Sequence, residues 1–385
     1  MDKDKKYKIV YCTPALYMAG GVERVLTLKA NYFAEYFGYD ITIILTEKKG
    51  APLFYPLSDK VKVINFNVNF EDLWTCSFIK KVFVYLWKQR LFKKRLNSEL
   101  IRIKPDITVS LLRREINFIS GIKDGSKKIG ELHINRANYR NFDKNSTNVF
   151  KTLFSKFWMH NLVGKLQKLN RLVVLTEKDK LSWQELGNVS VIPDPLSFRP
   201  LSRSKLDNKR VIAVGRYSHE KGYDMLLKAW QMVSTKKPGW RLDIYGDGNS
   251  SFYVSLLKNL KIDEKRCVLH ARTLDIEKEL VNSSIFVCSS RFEGFGMAVL
   301  EAMACGLPVI SFDCPWGPGS IITDGVDGCL VENGNVVALA EQIMRFIEDR
   351  CLRINLAGNA ILKASKYDIE NISLKWKEMF DSLYK

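Results

Sequence analysis

The chain has 385 residues, 46% of them hydrophobic and 26% charged, with 23 glycines and 11 prolines. These are globular proportions that exclude a disordered, collagen-like or low-complexity chain, and the length suits two domains that each bury a core. The net charge of +18 is lopsided: residues 1–195 hold 34 basic and 19 acidic groups, net +15, and residues 196–385 net +3, so an anionic partner is expected to meet the first half.

In chain order, a strand is predicted at Tyr7–Cys12, then a glycine pair, Gly20-Gly21, and further strands at Ile41–Thr46 and Val61–Phe66. Lys80–Arg95 reads KKVFVYLWKQRLFKKR, a helix with Phe83, Trp87 and Leu91 at i, i+4 and i+8 and with Lys81, Lys88 and Arg95 along a neighbouring stripe. Strands follow at Ile107–Leu112 and at Leu172–Leu175, and between them His133 comes immediately after a short strand, in Ile129-Gly130-Glu131-Leu132-His133. Also between them lies a second basic apolar segment with Phe154, Phe157 and Trp158 beside Lys151, Lys156 and Lys165. Basic helices with aromatic faces suit an anionic membrane surface, with Lys80, Lys81, Phe83, Trp87, Lys88, Phe154 and Trp158 as the expected contacts. An ordinary helix packed on its own domain, lysines in water, has the same pattern.

Val191-Ile192-Pro193-Asp194-Pro195 is the expected domain boundary, because two prolines fix an extended connector before a polar stretch and a new strand. Strands are then predicted at Val211–Val214, Leu242–Tyr245, Ile285–Cys288 and Val309–Phe312. Strands alternating with helical segments argue for parallel sheets whose ligands sit beyond the strands' carboxyl ends.

Three strand-to-helix loops carry the chemistry. Gly215-Arg216-Tyr217-Ser218-His219-Glu220-Lys221-Gly222 offers two cations between glycines, suited to a diphosphate. Tyr245-Gly246-Asp247-Gly248 is a second glycine turn. Arg291-Phe292-Glu293-Gly294-Phe295-Gly296 leads into a helix at Met297–Cys305, whose first amides offer an anion site with Glu301 one turn on. On spacing alone, Glu293 and Glu301 could equally be idle loop and helix carboxylates.

Glu293-x7-Glu301 within EGFGMAVLEAMACGLPVI, the loop GRYSHEKG, Gly20-Gly21, the Pro193-Asp194-Pro195 connector and a closing segment with Trp376 resemble the retaining family 4 glycosyltransferases. The resemblance spans the chain and is strongest over residues 210–335. It implies an α/β protein of the GT-B fold, two Rossmann-like domains with parallel sheets facing a central cleft. Residues 1–195 with a returning helix at 369–385 would bind the acceptor, and residues 196–368 the nucleotide-sugar donor.

The resemblance implies that Arg216 and Lys221 bind the donor diphosphate, that Glu301 holds the ribose and Glu293 a hydroxyl of the transferred sugar. Gly215 and Gly246, with the amides of Phe295, Gly296, Met297 and Ala298, would complete the donor site, and Gly20-Gly21 would approach its phosphate. It places His133 near the transfer centre, so the expected catalytic set is Glu293, His133, Arg216 and Lys221. Ser320 stands where the family often has an acid, and Ala271 where glycine is more usual, near the expected base pocket.

No metal-binding cluster is apparent, and Arg216, Lys221 and helix amides can stabilise a leaving diphosphate without one. The reading is a metal-independent, retaining transferase without cofactor that moves sugar from a nucleotide diphosphate-sugar to a glycan or lipid-linked acceptor. UDP is preferred on family grounds and GDP stays open. Eight cysteines without a CxxC pair, no 18-residue apolar run and no signal-peptide core lead us to expect a cytoplasmic protein at the inner face of the membrane. Nucleic acid is not an expected partner, for no reading motif accompanies the basic charge. The rival classes are an NAD-type oxidoreductase, which wants a GxGxxG absent after Tyr7–Cys12, and a non-catalytic nucleotide- or membrane-binding module.

Overall fold

The computed structural model describes residues 5–75, 77–136, 139 and 149–385. The chain divides into two compact units, Met1–Pro193 with Ile369–Lys385, and Asp194–Asp368. The division falls between Pro193 and Asp194, inside the connector that the prolines stiffen.

Unit 1 holds strands β1 (Lys8–Cys12), β2 (Asp40–Leu45), β3 (Lys62–Asn65), β4 (Ile107–Ser110), β5 (Lys127–Glu131), β6 (Arg171–Val174) and β7 (Val189–Val191). They form a parallel sheet in the order β3-β2-β1-β4-β5-β6-β7. Its helices are α1 (Gly21–Glu35), α2 (Phe78–Ile103), α3 (Val149–Leu166) and α4 (Glu177–Leu181). Central strands such as β1 and β4 are buried along most of their length, as parallel strands covered on both faces must be.

Unit 2 repeats the plan with β8 (Arg210–Val214), β9 (Arg241–Gly246), β10 (Cys267–Ala271), β11 (Ile285–Cys288), β12 (Val309–Phe312) and β13 (Cys329–Val331). The order is β10-β9-β8-β11-β12-β13, again parallel. Helices α5 (Tyr223–Lys236), α6 (Ser251–Asn259), α7 (Ile276–Val281), α8 (Met297–Ala304), α9 (Val336–Glu348) and α10 (Arg350–Ala364) cover it. Leu226, Leu227, Trp230, Ile285, Val287, Leu339 and Ile343 lie in one shared core.

The last helix, α11 (Ile369–Ser382), belongs to unit 1. Its apolar face, Ile372, Trp376, Met379 and Phe380, is buried, and Phe380 meets Phe33 of α1 at 6.0 Å between ring centroids. The Tyr7 hydroxyl donates to Asp381 at 2.8 Å. In each sheet the strand order reverses once, between β1 and β4 and between β8 and β11. Such a switch point separates the two outgoing loops and leaves a crevice for a ligand.

Candidate active site

In unit 2, the loops leaving β8 and β11 are stitched together at the switch point. Gly222 closes the first loop at φ +62° and precedes α5. A side chain there would press into the Ser289 carbonyl, so glycine serves both the left-handed backbone and the close approach. Ser289 Oγ donates to the Lys221 carbonyl at 2.9 Å. Arg291 forks onto both oxygens of Asp224 at 2.8 and 2.7 Å and donates to the His219 carbonyl at 2.8 Å.

This stitching brings Lys221 and Glu293 together. Lys221 Nζ donates to Glu293 Oε1 at 2.6 Å, and Ser290 Oγ donates to the same oxygen at 2.6 Å. Burial is the largest single influence on Lys221 and lowers its pKa, but the charge and hydrogen bond of Glu293, with smaller help from Cys288 and Glu220, together outweigh it and the net shift is upward. The ammonium is therefore secure. Gly317 closes over the other side, where any side chain would press into Glu293 Cβ.

Phe295 is buried and meets Tyr367 at 5.7 Å between ring centroids. Gly296 caps α8 at φ +105° without a side-chain hydrogen bond. The amides of Met297 and Ala298 fall in the first turn, which intrahelical bonding leaves open. Glu301 is buried one turn on and accepts from Ser197 Oγ, just beyond the proline connector. Gly246 sits against Gly215, and a side chain at Gly246 would press into the Gly215 carbonyl. Arg216 stands apart, with its side chain 71% exposed and bonded to Glu220 at 2.6 Å.

The remaining expected residues lie in unit 1. Gly20 is the extended N-cap of α1, Gly21 is that helix's first residue, and the Glu23 side chain folds over Gly20. His133 follows β5, with Nε2 3.2 Å from Oε1 of Glu131. Glu131 is paired with Lys29. Burial would raise the pKa of Glu131, yet Lys29 and His133 outweigh it and hold it at about 2.

The expected membrane face needs correction. Phe83 and Trp87 are 71% and 59% exposed, and Lys80 is exposed, but Lys88 is buried. It donates to the Asn69 carbonyl and pairs with Asp72 at 3.2 Å. Lys81 is half-buried. Trp158 is half-buried and packs against the unit 1 core, 6.0 Å from the Tyr139 ring. Phe154 lies outside the residues whose side chains are described.

Sequence reasoning missed Ser290, Arg291, Asp224 and Ser197. The first three flank the motifs directly, so a hydroxyl and an Arg–Asp pair beside two glycine loops were available as a signal. Ser197 is 104 residues from Glu301, and nothing local announces their contact.

Together, a mostly enclosed ammonium, open helix amides and two oriented carboxylates on one switch point can bind an anion and adjacent hydroxyls. The family described as glycosyl transferases, group 1, matches residues 197–363. The amylovoran biosynthesis glycosyltransferase AmsD of Erwinia amylovora is 32% identical, across 97% of this chain and 100% of its own. A glycosyltransferase of Haemophilus influenzae is 28% identical across 93% and 96% of the two chains. A crystal structure of Staphylococcus aureus TarM bound to UDP aligns with a TM-score of 0.78 at 17% identity, over 97% of this chain and 99% of that one. The chain belongs to the group 1 glycosyl transferases and has the GT-B fold.

Proposed function

We propose that this glycosyltransferase moves a sugar from a nucleotide diphosphate-sugar, a UDP-sugar ahead of a GDP-sugar, to a glycan or lipid-linked glycan. Transfer retains the anomeric configuration and uses no metal ion. The observation that carries the reading is the Lys221–Glu293 pair beside the start of α8. A leaving diphosphate gains negative charge as the glycosidic bond breaks, and an ammonium and helix amides already aimed at it stabilise that charge without reorganising. Arg216, exposed on the same loop, reaches the same phosphates. Glu293, oriented by Lys221 and Ser290, accepts from a hydroxyl of the sugar, and Glu301 from the ribose. Gly20-Gly21 approaches the phosphate, and His133 acts at the transfer centre. The UDP in the TarM structure and the amylovoran role of AmsD support this choice of donor and product.

Calorimetric titration with UDP and GDP tests the donor assignment, and micromolar binding of UDP is expected. NMR of the first-formed product should show the donor's anomeric configuration, and chelator should leave the rate unchanged. Inverted product or strict dependence on added manganese overturns the corresponding part.

The enzyme works on an anionic membrane surface, most simply the cytoplasmic face. On α2, Val82, Phe83, Leu86 and Trp87 are exposed together, with Lys80, Arg90, Lys93 and Lys94 exposed around them. Among the described residues no helix is long and apolar enough to cross a membrane, so this reading is of peripheral contact. Each interfacial cation contributes about 1 kcal/mol beside anionic lipid. Replacing Lys80, Lys93 and Lys94 with Gln should therefore lower co-sedimentation with anionic vesicles steeply and leave UDP binding intact. Undiminished vesicle binding removes α2 from the interface.

A further inference from the structure

Beyond the carboxyl ends of β2 and β3 in unit 1, a cavity of about 390 Å³ is lined by Lys49, Asn65, Phe66, Asn67 and Arg95. That volume falls in the usual range of small-ligand sites, about 300–1,000 Å³. Arg95 reaches across from α2 and donates to the Phe66 carbonyl. The two loops are bonded to each other. Asn65 Nδ2 donates to the Glu47 carbonyl at 2.7 Å, and the Lys48 amide donates to Asn69 Oδ1 at 2.8 Å. Asn67 Oδ1 accepts from the Lys49 amide at 3.3 Å and from Asn69 Nδ2 at 3.0 Å. Those two bonds fill its lone pairs, so Asn67 has only N–H donors left for a ligand. Lys49 and Arg95 donate and cannot accept, and no carboxylate lines the cavity. A recess for neutral sugar hydroxyls would mix donors with acceptors, whereas donors around two cations fit an oxyanion.

We propose that this cavity binds an acidic substituent, a carboxylate or a phosphate, on a sugar of the acceptor glycan behind the one that reacts. The inference rests on the reading that unit 1 receives the acceptor. β3 stands two strands from β1, so the cavity lies about 10 Å along the sheet from the β1–β4 switch point, a distance that a short glycan spans. Trp87 is also near, two turns or about 12 Å along α2 from Arg95. Loops fixed in advance nevertheless suit a defined ligand, bound without an ordering cost, more than the fluid surface of a membrane.

The Nε–H signal of Arg95 in 1H–15N NMR of the full chain, assigned by Arg95→Lys, reports binding directly. Glucuronic acid and glucose 6-phosphate should each shift it saturably, and glucose should not. Lys49→Gln, an exposed substitution that should leave the melting temperature unchanged, should raise both dissociation constants at least about tenfold, the scale of one charge-assisted hydrogen bond. No saturable shift with either acid, or an equal shift with glucose, overturns the proposal. Loss of anionic-vesicle binding in Lys49→Gln, with no response to either acid, gives the cavity to a lipid headgroup and overturns it too. Transfer to the acceptor in membranes of the source cells should show an acceptor KM raised at least about tenfold in Lys49→Gln, with kcat kept. An unchanged KM overturns the acceptor role. Absence of transfer by the wild-type protein would instead sink the enzymatic reading, while the NMR titration still judges the cavity.

Discussion

Lys221 and Arg216 sit five residues apart on one loop, yet their surroundings make them different experiments. Lys221 is enclosed and answers the charge of Glu293 at 2.6 Å, whereas Arg216 is exposed beside Glu220. Replacing either with Ala should lower turnover about a hundredfold, the scale of losing one transition-state electrostatic contact. Only Lys221→Ala should also lower the melting temperature, because it strands a mostly buried carboxylate. Near-normal turnover in either variant removes its diphosphate role. Gly222→Ala is a backbone test of the same loop. With φ at +62° and the Ser289 carbonyl in the way, it should destabilise unit 2 by about 1–3 kcal/mol in denaturant titration. An unchanged midpoint would mean that the loop has room to spare.

Among elements, α8 is short and most of its residues are buried, so it presents a carboxylate and open amides on a support that barely moves. Glu301→Gln should mainly weaken donor affinity, since a ribose contact is made in ground and transition states alike. Glu293→Gln should lower kcat more than affinity, because its partner is the sugar on which charge develops. Reversed defects would exchange the ends of the donor. The strands show what was legible. The central runs at β1, β2, β4, β8, β11 and β12 are rich in buried β-branched and apolar residues, and their ranges match the sequence reading to within two residues. The runs that escaped, β7, β10 and β13, are sheet edges, where half-exposed positions dilute the apolar signal. Lys88 misled for a related reason. Seven residues from Lys81 and from Arg95, it looks like part of a surface stripe, but the Asn69 carbonyl and the exposed Asp72 carboxylate supply partners from an earlier turn. Burial of a cation depends on what packs above it, and helical spacing carries no word of that. The glycine loops were readable because their constraints are local; the Ser197–Glu301 contact was not, because it is set by tertiary packing.

At the scale of the whole molecule, the discontinuity of unit 1 is testable. Residues 194–368 form a compact unit in one stretch, so expressed alone they should fold and bind UDP. A chain ending at Asp368 should keep UDP binding but lose the cooperative melting of unit 1, because Trp376 and Phe380 no longer cover Lys29 and Phe33. Unaltered melting would make α11 an ornament. The charge asymmetry belongs to this scale too: the net +15 of residues 1–195 sits on the unit that carries α2.

The return of α11 also sets an order of events during synthesis. The segment that seals unit 1 is translated only after every residue of unit 2 has been made. Domains commonly fold as they emerge, the N-terminal one first, but here the first-made sheet waits with Lys29, Phe33 and Tyr7 lacking their final cover while the second is finished. Nascent unit 1 is therefore the stage at which a chaperone has most to protect, and substitutions on the apolar face of α11 should show as reduced yield of protein from cells before they show as reduced activity of what is purified.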